Sequence, residues 1–160
     1  MMKKSPQEQE LERMLKSSKF SSCGFLGTDR RNLWEVIEED AAEIAKAGLT
    51  MEELAGRMNE ITAAGAEGLG DWVQFSPRLR VIVDDNRGII PCPWPHQVRC
   101  LKRITTVHAV DTGAQIRWSD LNIHLIKEHG FFEGRGSPFR IEPRMLVDTI
   151  FAHHQTKPEH

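Results

Sequence analysis

Residues 79–118 read LRVIVDDNRGIIPCPWPHQVRCLKRITTVHAVDTGAQIRW, and this stretch decides the fold class. Leu79, Val81 and Val83 recur at every second position, which is the period of a strand with one buried face. The spacing predicts a strand over 79–84, a turn at 85–88 and a short partner beginning at Ile89-Ile90. Three prolines at 91, 93 and 95 cannot donate to a ladder, so PCPWPH reads as a stiff loop or edge. A further strand is predicted over about 102–110, a turn at Asp111-Thr112-Gly113, and a last strand over 115–118. Together these make an antiparallel meander of three or four strands.

Helical patterns lie on both sides of the meander. Ser5-Pro6-Gln7-Glu8 has the form of a capping box with proline at the first helical position, ahead of Leu11, Met14 and Leu15. Leu33, Trp34, Ile37, Ala41 and Ile44 recur at helical spacing behind Asp29, up to Gly48. Thr50-Met51-Glu52-Glu53 is another capping box and opens a helix carrying Leu54, Met58 and Ile61. After the strands, Ser119 caps a helix that closes at Gly130, and Pro143 opens a last one. The expected fold is therefore α+β: an N-terminal helical hairpin, the meander, and two short C-terminal helices. Residues 1–20 are expected as a flexible or short helical arm, 21–152 as one domain, and 153–160 as a disordered tail. The predicted core is Leu33, Trp34, Ile37, Leu54, Met58, Val81, Val83, Ile104, Ile116, Leu121 and Leu125.

Composition bounds the function. The 160 residues are 39% hydrophobic and 28% charged, enough apolar content for a packed core and too much for a disordered chain. No run of apolar residues is long enough to cross a membrane. The net charge of −2 gives no global attraction to nucleic acid, so any such binding needs a local basic patch. The helical hairpin does not supply one, because its second helix begins Met51-Glu52-Glu53, where phosphates would be repelled. Nucleic acid is not the expected partner. The three cysteines, Cys23, Cys92 and Cys100, without a secretory leader read as reduced thiols of a cytoplasmic protein.

The densest chemistry lies in 118–140, WSDLNIHLIKEHGFFEGRGSPFR. With the proline loop it offers Cys92, His96, Cys100, His124 and His129 as metal ligands, and thiolate with imidazole suits zinc. SDLNIHLIKEHG resembles the histidine-bearing helix of a two-Cys two-His zinc finger. The gap from Cys100 to His124 is about twice that of a finger, so the finger fold is not carried over. Helix geometry also sets the two histidines about 140° apart. On that basis His129 reads as a structural residue of the apolar face, and His124 as an exposed one beside Asp120 and Glu128. Sulfur–nitrogen separations of about 3–4 Å would fit a shared tetrahedral zinc, and separations beyond about 7 Å would exclude it.

Two other chemistries are on offer. Asp120, His124 and Glu128 could form an oriented acid–base group, since a carboxylate one turn away can hold an imidazole tautomer. Gly134, Arg135, Gly136, Ser137 and Arg140 could cradle a phosphate or carboxylate in a glycine-rich loop. The alternative is a tight loop pinned to the core by Phe131, Phe132 and Phe139. Without a catalytic motif, the leading expectation is a small non-enzymatic module that binds a protein partner or itself, with Trp94, Phe131 and Phe132 as anchors.

Taken together, GFLGTDRR, DDNRGIIPCP and SDLNIHLIKEHGFFEGRGSPFR resemble a family of uncharacterised bacterial cytoplasmic proteins. The likeness spans about 24–151. It implies a bacterial cytoplasmic protein and no activity or site residue.

Overall fold

The computed structural model describes residues 5–16, 25–94 and 98–151. Cys23, His96 and the tail at 153–160 lie outside them. Helix α1 spans Pro6–Lys16, α2 Leu33–Lys46 and α3 Met51–Ala66. Strands follow at β1 Val73–Ser76, β2 Leu79–Pro91, β3 Arg99–Ala109 and β4 Gln115–Ser119, and the chain closes with α4 Asp120–His129 and α5 Pro143–Ile150. The fold is α+β, and the four strands form one antiparallel sheet in chain order.

The helix boundaries follow local chemistry. Ser5, Asn32, Thr50 and Ser119 each accept a hydrogen bond from the backbone amide three residues on. The side-chain oxygens of Glu8, Glu35, Glu53 and Asn122 in turn accept from the cap residue's amide. The cap of α2 is thus Asn32, while Asp29 accepts from Arg31 instead. Gly130 ends α4 in the left-handed conformation, φ 63°, which costs glycine nothing.

The sheet departs from expectation at one place. The segment 85–88 is a bulge inside β2, not a hairpin turn: Asp85 pairs with Arg103 and Ile89 with Leu101 across it. The hairpin closes instead through the proline loop, where the Cys92 amide donates to Val98 O at 3.0 Å. The physical reason is length. Ile89-Ile90 offered only two residues of ladder before a proline, whereas the run after Val98 pairs with β2 back to Leu79. Strand β1 was not foreseen; it is only four residues long and follows a glycine-rich connector.

Helices α3 and α4 pack against each other and on one face of the sheet. Leu79, Val81, Val83, Thr105, Val107, Ala109, Ile116 and Trp118 point at them and are buried. Trp118 Nε1 donates to Thr62 Oγ1, which is also bonded to Thr105 Oγ1, so the polar atoms of this core are satisfied. A second cluster gathers Leu11, Leu15, Leu33, Val36, Cys92, Leu121, Leu125 and Phe131. Helix α4 divides its side chains between the two clusters. Helix α1 is docked: Leu15 is fully buried, Leu26 N donates to Leu15 O, and Leu33 N donates to the Glu12 carboxylate. Of the two expectations for residues 1–20, the described part takes the short helix.

Most predicted core positions are buried, but Trp34, Ile37 and Ile104 are only partly so. Ile104 falls on the sheet face turned away from the helices, because it is out of phase with Thr105 and Val107. Helix α2 packs chiefly on α5, while α3 takes the sheet and α4. The two are neighbours in sequence more than in packing.

Candidate metal centre

The proline loop delivers Cys92 onto α4. Cys92 is buried among Leu121 and Leu125, which form a ridge along one side of that helix. At about 100° per residue, His124 and His129 flank this ridge, one on each side. Their Cα positions diverge, but their rings lean over the ridge and meet, with centroids 5.4 Å apart at 80°. The separation expected from helix geometry is thus overturned by side-chain reach. Cys92 Sγ lies 3.6 Å from His129 Nε2. One ligand atom from each of Cys92, His124 and His129 falls within 4.8 Å of the other two.

Trp94 completes one wall. Its ring stacks on His129 with centroids 4.0 Å apart and planes at 10°, and meets Phe131 edge-on at 5.5 Å. Trp94 is thereby a lid that fixes the imidazole plane, and not an exposed anchor. Burial pushes the Cys92 thiol up to about 11, so in the metal-free protein it is a neutral SH. A cavity of about 550 Å³ adjoins Cys92 and Trp94, between them and the Leu11–Met14 side of α1.

Of the other expected ligands, His96 lies outside the described residues and Cys100 does not join this set. Cys100 pairs with Ile90 in the β2–β3 ladder, half-buried, and is outside the group of converging donors. Burial also raises its thiol above the ordinary value.

The acid–base group is not formed. Asp120 gives its carboxylate to Arg103, with contacts of 3.1 and 3.3 Å, and Glu128 is exposed to solvent. Asp120 is held by the guanidinium opposite it on β3 and does not orient His124.

The glycine loop is turned inward, which removes the anion cradle. Gly134 N donates to Phe25 O at 2.8 Å, Arg135 N to Asp29 Oδ2 at 3.0 Å, and Ser137 N to Gly134 O at 3.1 Å. Ser137 Oγ donates to Glu133 Oε1, and Arg140 donates to Asp40, Glu142 and the Glu133 carbonyl. Gly136 sits against Thr28. Amides and cations that could have held a phosphate instead clamp the loop to 25–29 and to α2. Phe131 and Phe132 are wholly buried, so neither can anchor a partner. Phe139 is half-buried beneath the Arg117 guanidinium.

Sequence reading missed Glu133. It is buried with φ 68°, and accepts from Asn122 Nδ2 and Ser137 Oγ. Burial lifts its carboxyl to about 7. Nothing in its spacing marks it, because its environment is made by a helix and a loop meeting in space.

Against known protein families, curated proteins and solved structures, the chain has no match. The site is therefore read from its own geometry.

Proposed function

We propose that this is a zinc-binding protein whose ligands include Cys92, His124 and His129. The observation that carries the reading is the convergence of one sulfur and two imidazoles within 4.8 Å. A tetrahedral zinc with Zn–S of about 2.3 Å and Zn–N of about 2.0–2.1 Å requires S···N near ~3.6 Å. The Cys92–His129 separation is 3.6 Å. Three protein donors leave a fourth position for water or a further donor.

A Cys–His nucleophilic dyad is the competing reading of the same pair, and burial weighs against it. Reactive thiols sit in partly exposed, electropositive surroundings that favour thiolate. Cys92 is buried and its thiol is driven the other way. Zinc overcomes that cost by direct bonding to sulfur, with release of the thiol proton.

Elemental analysis of untagged protein after dialysis tests the reading. About one zinc per chain is expected, with loss of stability to a chelator; less than about half an equivalent and indifference to chelator would refute it.

A further inference from the structure

We infer that the face of the sheet turned away from the helices binds single-stranded nucleic acid. The helices α3 and α4 lie on one side of the sheet. Strand alternation then places Arg80, Ile82, Asp84, Ile104, Thr106, His108 and Arg117 on the other, over which no described helix packs extensively. Register aligns Arg80, His108 and Gln115 in one row across three strands, and Ile82, Thr106 and Arg117 in the next. The result is a shallow platform with hydrogen-bonding rows over a partly apolar floor.

Charge selects the occupant. Residues 79–119 carry six Arg or Lys against three Asp, a net of +3, which leaves −5 for the rest of a chain whose total is −2. On the outer face itself the cations are Arg80, Lys102 and Arg117, against the single carboxylate of Asp84. Among the described residues Arg80, Lys102 and Arg117 have no carboxylate partner, in contrast to Arg78 and Arg103. Arg80 Nε and His108 Nδ1, side by side across β2 and β3, are buried and have no hydrogen-bond partner among the described residues.

Aromatics mark the two margins. Trp72, 41% exposed just before β1, lies under the Arg80 guanidinium at 4.7 Å. Phe139 lies under Arg117 at the same distance, beside β4. Each pair offers a planar surface on which a base can stack, with a cation for the adjoining phosphate. Cations alone would suit an acidic peptide equally well. The paired aromatic platforms favour a ligand that alternates planar rings with anions, and that is a single strand. A duplex would not expose its base faces to them.

The site shares no residue with the Cys92 centre and stands or falls separately from it. Fluorescence anisotropy with labelled mixed-sequence RNA and DNA strands of about 12 nucleotides, at about 50 mM salt, provides the test. Saturable micromolar binding of either strand is expected, and a preference for RNA would point to reading of the 2′-hydroxyl. Three phosphate contacts predict a loss of roughly 20-fold between about 50 and 200 mM salt. Lys102→Glu with Arg117→Glu, both exposed positions, should weaken binding at least ~10-fold, and Trp72→Ala roughly 5- to 100-fold, with thermal midpoints of the variants close to the parent's. The inference is overturned by no saturable binding of either strand below about 100 µM, by affinity indifferent to the charge reversals, or by equal competition from polyglutamate.

Discussion

Asn122 Nδ2 and Glu133 Oε2 meet 3.0 Å apart in the interior, where the first turn of α4 touches the loop that follows it. The same Asn122 completes the capping box by accepting from the Ser119 amide, and the other oxygen of Glu133 accepts from the Ser137 hydroxyl. One carboxyl therefore holds the loop to the helix that carries both histidines. Burial outweighs these two hydrogen bonds and lifts the group from 4.5 to about 7. An unfolded chain ionises this carboxyl near its ordinary value, while the folded chain keeps the proton to about 7. Its contribution to stability is then fully present below pH 4.5 and is lost as pH rises towards 7. Glu133→Gln keeps the shape without the titration. At pH about 8 the variant should be more stable by about 2–3 kcal/mol, and the gap should close towards pH 4. Urea midpoints of the two proteins across this range measure it; parallel curves would show that Glu133 is not the titrating group.

Arg140 and Asp40 form a second buried link, with side chains 7% and 5% exposed. It ties the end of the glycine loop to α2. Desolvation raises the Asp40 carboxyl, and the guanidinium works against that rise. Removing one partner strands the other charge away from water. Asp40→Ala should cost about 3–5 kcal/mol, and Asp40→Leu with Arg140→Met should cost less than the single change. A double-mutant cycle in urea reads the coupling directly.

Gly134 and Gly48 should respond very differently to alanine. A Cβ on Gly134 would sit 2.2 Å from Leu26 O, against backbone that cannot swing aside. A Cβ on Gly48 meets nothing within 4 Å, and only the left-handed φ of 77° opposes it. Gly48→Ala should cost about 1–2 kcal/mol. Gly134→Ala should exceed that and release the strap over 25–29, which hydrogen exchange at the Gly134 and Arg135 amides would report.

These links explain which parts were legible in the sequence. Capping boxes and period-two runs are local, so Thr50, Ser119 and the alternation of Leu79, Val81 and Val83 placed helices and strands where they are. The turn at 85–88 misled because a glycine bulge and a hairpin turn use the same residue types, and only the available partner strand separates them. Cys92, His124 and His129 are all among the expected donors, in a set that also included His96 and Cys100. What brings Cys92 to α4 is the packing of the proline loop on Leu121 and Leu125, which is tertiary. Glu133 and Asp40 escaped notice for the same reason. Each owes its character to a partner far along the chain or to burial, and neither is written in its neighbours.

A site at Cys92, His124 and His129 can be separated by substitution from one that uses Cys100. If zinc binds at Cys92, His124 and His129, a free concentration about 100-fold over the dissociation constant should stabilise the protein by about 2.7 kcal/mol. For a domain of this size that is a rise of roughly 5–10 °C in thermal midpoint. Cys92→Ser, His124→Ala and His129→Ala should each remove most of the rise, because three donors cannot be reduced to two without loss of the ion. Cys100→Ser should retain it, since Cys100 stands in the ladder opposite Ile90 and outside the converging donors. Trp94→Ala takes away the ring stacked 4.0 Å from His129 and leaves every donor in place, so binding should persist but weaken. An orienting contact of this kind is worth about 10- to 100-fold in metal affinity. A midpoint shift lost in Cys100→Ser and kept in His129→Ala would assign the ion to the ladder and not to α4.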